Sequence, residues 1–266
     1  MKKLMRSLSV DLRKSFFGYG FLLCVLVVFL LCFASVIYTD GRTGKEYTTI
    51  EIIADRSQLP NVVFSGMSIL HISVNPYLTL FLPVLSSIPF VTLFCAERTG
   101  GNLRFVIVRT GKAIYCLSKF LSALISGALT VCSGFILYSV VILIVFGKDG
   151  SISELMKIYA GIAVYGAVSV LPAFFLSSFI KNKYMICCFP FIFMHFYYTA
   201  IAKLQDYFNT HDNWEAIMKI SFLYTSEIKE IFFSKNVSAV IFYCALTVLT
   251  FVGFYFIMNR RVDYGQ

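Results

Sequence analysis

The chain has 266 residues, of which 58% are hydrophobic and 14% charged, against roughly 45–50% and about 25% in an ordinary soluble domain. A soluble fold would need more polar residues to cover its surface, and long stretches here contain none, so a soluble enzyme is excluded. The net charge of +9 is accounted for by membrane topology and lipid headgroups without nucleic acid.

A helix crossing a hydrocarbon core of about 30 Å needs roughly 20 apolar residues at about 1.5 Å each. Six segments approach that length, at about 17–38, 77–95, 117–146, 156–179, 184–202 and 237–258. The expected fold is therefore an all-α polytopic membrane protein, one domain over residues 1–266. Before the first span, Met1, Leu4, Met5, Leu8, Leu12 and Phe16 recur every three or four residues among Lys2, Lys3, Arg6, Arg13 and Lys14. That spacing predicts a helix over 1–16 lying in the membrane interface. Sixteen residues ahead of the apolar run, with no small-residue cleavage site after it, argue against a secretory leader. The third span is too long to stand upright, and Lys119 near its start predicts that it begins in the headgroup layer.

Lys and Arg close to a span are retained on the cytoplasmic side. One set of termini and loops holds fourteen basic and three acidic residues, and the other holds nine basic and eleven acidic ones. Six spans put both termini with the basic set, hence in the cytoplasm.

Two outer loops are longer than a connection requires. Loop 39–76 opens with the turn-prone Asp40-Gly41-Arg42-Thr43-Gly44, and its β-branched stretch Thr48–Ile53 predicts a short strand. The apolar stretch Val62–Val74 is expected to pack on the spans or dip into the interface. In loop 203–236, Asp212 with Glu215 forms a capping box for a helix carrying Trp214, Ile217, Met218 and Phe222 on one face. Ile228, Ile231 and Phe232 extend this into a pair of interfacial helices roofing the outer surface.

Several chemistries lack their residues. Arg42-Thr43-Gly44-Lys45 and Arg109-Thr110-Gly111-Lys112 miss the leading glycine and the following Ser or Thr of a phosphate-binding loop. His71, His195 and His211 are far apart in sequence and belong to no zinc-protease pattern. His195 is expected as a packed residue of the fifth span. The eight cysteines lie in or beside spans without a Cys-x-x-Cys pair and are expected as small apolar fillers. No acidic residue occupies the middle of a span, so ion-driven transport lacks its coupling group.

The densest cytoplasmic charge lies between spans two and three, from Glu97 to Lys119. Here Asn102 is expected to cap a short helix whose Phe105, Val106 and Val108 press toward the membrane. Arg109, Gly111 and Lys112 end it with cations and a glycine stop. Gly100 and Gly101 permit a tight exit from the second span. Arg98, Arg104, Arg109 and Lys112 each also suit lipid headgroups. A short basic-ended helix at this junction could dock in a cleft of a soluble protein and carry its movement into two spans at once.

Glu97-x-x-Gly100-Gly101-Asn102-Leu103, the spacer, Arg109 through Tyr115, and Lys119, together with six spans and an N-terminal interfacial helix, resemble an ABC transporter permease of the type-2 export class. The motif covers about twenty residues, and the layout nearly the whole chain. The resemblance implies a transmembrane subunit in a bacterial cell membrane, paired with a second permease, identical or related, and with two ATPase subunits that hold ATP and magnesium. It implies no cofactor or catalytic residue in this chain. Glu97, Arg98, Gly100, Gly101, Asn102, Leu103, Arg104, Phe105, Arg109 and Lys112 would form the coupling helix and its support. Trp214, Ile217, Met218 and Phe222 would fall in the re-entrant pair before the last span. An acid at a cytoplasmic span end gains nothing from lipid, so Glu97 is expected to meet Arg104 or a basic group of the ATPase. Small six-span chains of this kind resemble subunits that expel bacitracin, lantibiotics or other amphipathic peptides. The long first outer loop departs from many short members and leaves the substrate open. The competing reading is a non-transport immunity or assembly factor acting through its outer loops. An intramembrane enzyme finds no paired acid, base and nucleophile at membrane depth.

Overall fold

The computed structural model describes residues 2–39, 45–54, 65–73, 76–100, 103–147, 150–210 and 237–263. In chain order these form α1 (Lys2–Phe16), α2 (Tyr19–Phe33), β1 (Val36–Thr39), β2 (Glu46–Thr48), α3 (Thr49–Ala54), α4 (Gly66–Ile72), α5 (Pro76–Thr99), α6 (Leu103–Thr110), α7 (Lys112–Phe146), α8 (Ile152–Ser169), α9 (Leu171–Leu176), α10 (Lys183–Thr210) and α11 (Val237–Asp263). The protein is an all-α polytopic membrane protein by this architecture.

Five helical stretches are long and apolar enough to cross a membrane: Leu80–Thr99, Lys112–Phe146, Ile152–Leu176, Lys183–Leu204 and Val237–Arg260. The first expected span is shorter than its apolar sequence suggests. Helix α2 has 15 residues, about 22 Å at 1.5 Å each, and reaches the length of a span only together with α1, from which it is bent by 62°. It ends at Phe33 because the next residues leave the helix for a strand, Val36–Thr39, paired antiparallel with Glu46–Thr48. Their β-branched and aromatic side chains suit a pleated surface.

The outer stretch Thr48–Ile53, expected as a strand, is mostly helix α3. A reciprocal cap decides this. The Thr48 amide donates to Glu51 Oε2 at 2.8 Å, and the Glu51 amide donates to Thr48 Oγ1 at 3.4 Å, a capping box that ends β2 and begins α3. Helix α4 packs on α7 and α8, with Ile69 and Leu70 fully buried, so this part of the outer loop rests on the spans as expected. Gly66 permits the approach, since a Cβ there would lie 2.5 Å from the Gly147 carbonyl oxygen.

Helix α7 is the axis of the molecule. Its 35 residues extend about 52 Å, well past a hydrocarbon core, and α1, α2, α5 and α8 pack along it. The close approaches use its small residues. A Cβ on Gly127 would meet the Gly166 carbonyl of α8 at 2.7 Å, and one on Gly134 would meet Val28 of α2 at 2.6 Å. Ser126 Oγ lies 2.7 Å from Ser15 Oγ of α1. The stripe is thus occupied by helices of the same chain. Two apolar layers result, one around Val28, Tyr138 and Tyr165 and the other around Phe94, Phe120, Phe174 and Phe254.

Candidate functional site

The candidate site lies where α5, α6, α7 and α11 meet at the basic end of the bundle. Helix α5 ends with the Gly100 amide donating to the Ala96 carbonyl, 3.0 Å. Helix α6 ends where the Gly111 amide donates to the Ile107 carbonyl at 2.8 Å. Gly111 has φ +89°, a conformation that L side chains rarely adopt. The expected glycine stop is present, and α7 starts at the next residue.

Helix α6 meets the rest of the protein through Ile107. Ile107 is 6% exposed and joins the inner apolar layer, whereas Phe105 is 73% and Val108 85% exposed. Residues three apart share a face of a helix, so Phe105 and Val108 present an apolar pair outward, with exposed Arg109 beside them. Val106, expected with them toward the membrane, is partly buried against the same apolar layer as Ile107.

Lys119 is 3% exposed and lies between two carboxylates. Its Nζ is 2.8 Å from Asp11 Oδ1 of α1 and 2.5 Å from Glu97 Oε2 of α5. Glu97 therefore finds its partner within the chain, in Lys119 of α7. Ser118 adds hydrogen bonds to Ser7 Oγ at 3.0 Å and Asp11 Oδ2 at 3.3 Å. Burying charge is costly unless it is paired and hydrogen-bonded, and this arrangement meets both conditions for Lys119. It buries Lys119 within the bundle. The network ties α1, α5 and α7 together directly behind α6.

The network adds a buried polar face to α1. Asp11 and Ser15 are its buried residues, and Ser7, Leu4, Leu8 and Leu12 are half-buried, while Met5 is exposed. The polar spacing Ser7, Asp11, Ser15, set against Ser118, Lys119, Ser122, Ser126 on α7, was available in the sequence. It was overshadowed by the more evident stripe of leucines.

Among the other expected site residues, Arg98 donates from Nη1 to the Ile180 carbonyl at 3.4 Å, which fixes the turn between α9 and α10 to the end of α5. Lys112 is half-buried at the start of α7. Leu103 and Arg104 open α6, and their side chains are outside the described residues. Gly101 and Asn102, with the expected Asn102 cap, are outside them too, as are Trp214, Ile217, Met218 and Phe222 and the capping box before them. His195 sits in α10 on its exposed side, not packed as expected. Among the described residues no group of three or more His, Cys, Asp or Glu could hold a metal ion. No family model matches the chain, and neither a curated protein nor a solved structure is similar to it.

Proposed function

We propose that the chain is the permease subunit of an ATP-driven type-2 exporter, moving an amphipathic substrate such as a peptide antibiotic, lantibiotic or lipid-like molecule. Two ATPase subunits, with their ATP and magnesium, and a second permease chain complete the complex, in a bacterial cell membrane with both termini in the cytoplasm. One observation carries this reading: α6 holds an exposed Phe105 and Val108 beside Arg109 on a short helix whose opposite face is anchored by Ile107. An exposed apolar pair with basic flanks suits a cleft with apolar walls and an acidic rim. The chain enters α6 from α5 and leaves it into α7, so a partner that grips α6 acts on two spans at once.

The Asp11, Glu97 and Lys119 network sits behind this lever. Movement of α6 is passed to α5 and α7 as a unit, and through Asp11 to α1 at the membrane surface. The chain supplies no chemistry of its own and converts closure of the ATPases into rearrangement of a cavity between two permeases.

The test is co-expression and purification of the full chain with exporter-type ATPase subunits from the same genome. The wild-type chain is expected to retain the ATPase, and the Phe105→Ser, Val108→Ser double variant to lose it while keeping its helix content and thermal midpoint. Failure of the wild-type chain to hold any ATPase would overturn the reading. The folded outer cap, in which Thr49 Oγ1 lies 3.1 Å from Tyr138 Oη, favours the second reading of an immunity or assembly factor acting on the outer side. Deleting residues 41–58 would abolish function under that reading, whereas charge reversal at Arg104 and Arg109 would not.

A further inference from the structure

A cleft of about 540 Å³ lies between α10 and α11, floored by α8 and α9. Helices α10 and α11 each pack on α9, and the cleft between them is open on one side. Its walls are Val168, Pro172, Phe175, Phe193, Leu246 and Leu249, with further aromatic residues of the same helices. The floor bends where α8 stops at Ser169 and α9 restarts at Leu171. Pro172 at the start of α9 has no amide to continue the α8 ladder.

We infer that this cleft holds the acyl chain of an anionic phospholipid, with the headgroup at the basic end of the bundle. Depth is the first argument. Phe189 and Tyr197 stand about 9 and 21 Å along α10 from Lys183, and Thr250 and Phe242 about 15 and 27 Å along α11 from Arg260, at 1.5 Å per residue. All four lie within the roughly 30 Å of a hydrocarbon core. Lining chemistry is the second. Ser169 Oγ lies within hydrogen-bond distance of Ser86 Oγ and of the Gly166 carbonyl, and Thr250 Oγ1 donates to the Leu246 carbonyl. These two hydroxyls are committed within the chain, and water needs two to four polar partners to occupy such a space. The volume falls in the roughly 300–1,000 Å³ range of small-molecule sites.

Charge is the third argument, and it selects the headgroup. Helix α10 starts at Lys183, two residues after Lys181, and α11 carries Arg260 in its last turns. The bond from Arg98 to Ile180 places the start of α10 beside the end of α5. Lys112, Tyr255 and Asn259 line a common recess, which places the end of α11 there as well. Clustered Lys and Arg at the membrane surface attract anionic lipid. This cleft lies within one chain and is distinct from a transport cavity between two permeases, so the inference needs the multi-pass architecture but not the exporter reading.

The test places the full chain in phosphatidylcholine nanodiscs containing a trace of phosphatidylglycerol with a photoactivatable diazirine in its tail. After irradiation, adducts are mapped by mass spectrometry. Expected is labelling of Leu171–Leu176, Phe189–Tyr197 and Phe242–Thr250 several-fold above that of Leu137, Val140 and Ile144, which are exposed on α7. Leu246→Trp and, independently, Val168→Phe should narrow the cleft and reduce its labelling several-fold, leaving the α7 positions unchanged. Phosphatidylcholine with the same tail should label the cleft less. Even labelling across all exposed helices, or cleft labelling unaltered by both variants, would overturn the acyl-chain site. Cross-links from the cleft to a second copy would overturn it in favour of a protein occupant, and equal labelling by phosphatidylcholine would overturn the anionic headgroup. Circular dichroism of each variant separates a filled cleft from a misfolded chain. The readout involves no ATPase, so its failure and the failure of the exporter reading are separate results.

Discussion

Lys119 holds Asp11 and Glu97 from two other helices, so its removal leaves two carboxylates facing a buried gap. Breaking a buried pair by removing one partner costs about 3–5 kcal/mol, because the remaining charge loses its compensation. Lys119→Met is therefore expected to lower the thermal midpoint of the purified chain substantially. The Asp11→Asn, Glu97→Gln, Lys119→Met triple variant should recover much of that loss, since the uncompensated charge is gone. A triple variant no more stable than Lys119→Met would show that the network does not act as one electrostatic unit. Gly127 and Gly166 make a second residue-scale case, in which each glycine faces the backbone oxygen of the other at under 3 Å from an added Cβ. Alanine at either site forces α7 and α8 apart, at about 1–3 kcal/mol for overpacking. The double variant should cost less than the two single changes added together, because one separation of the helices accommodates both methyl groups. A thermal-unfolding series of the four chains reads this directly.

Helix α6 divides its residues between two tasks, and substitutions should separate them. Ile107→Ala removes a buried anchor and is expected to destabilise the chain by about 2–5 kcal/mol, as for other large-to-small changes in a core. The Phe105 and Val108 changes described above should leave stability unaltered. A thermal midpoint that falls equally for both would refute the two-faced description of α6. At the end of the bundle opposite α6, the Thr48 amide and hydroxyl, both donating to its carboxylate, hold Glu51 below the ordinary glutamate value of 4.5, and nearby Lys45 adds to this. A carboxyl whose pKa is depressed by folding stabilises the fold above its unfolded pKa, and the contribution is lost as pH falls through the folded value. The protection of the Thr48 amide against exchange, relative to its intrinsic rate at each pH, should therefore fall on acidification below 4.5, and Glu51→Gln should remove that acid-side response. The same element shows what the sequence made legible. The glycine stop at Gly111 and the packing of Gly66–Ile72 on the spans follow from apolar period and backbone chemistry, whereas the early end of α2 at Phe33 and the break between α8 and α9 do not. The Thr48 and Glu51 cap was also legible, in the same pattern that was recognised at Asp212 and Glu215, but the β-branched run around it favoured a strand. The buried side of α6 was not legible, because Phe105, Val106, Ile107 and Val108 are all apolar. Only the position of α7 selects Ile107 from among them.

At the scale of the whole molecule, the two ends differ in charge and in construction. One end carries α6, the start of α7 and the basic termini of α10 and α11, whereas the other carries the β1 and β2 hairpin, α3 and α4. Retention of Lys and Arg on the cytoplasmic side predicts that the first end faces inward, which the exporter reading requires, since ATPases meet α6 only from the cytoplasm. Cysteines introduced at exposed Arg109 and at exposed Glu46 test this in intact cells. Native Cys188 and Cys244, the two exposed cysteines, are first replaced by serine. A membrane-impermeant maleimide should label the Glu46→Cys chain in intact cells and the Arg109→Cys chain only after permeabilisation. Labelling of Arg109→Cys from outside would place α6 beyond the reach of any ATPase and end the exporter reading. The basic end would then meet the outer leaflet, and the charge asymmetry of the chain would need a cause other than topology. Labelling of neither site until the membrane is dissolved would place Phe105 and Val108 in lipid, where their exposure to the surroundings needs no protein partner.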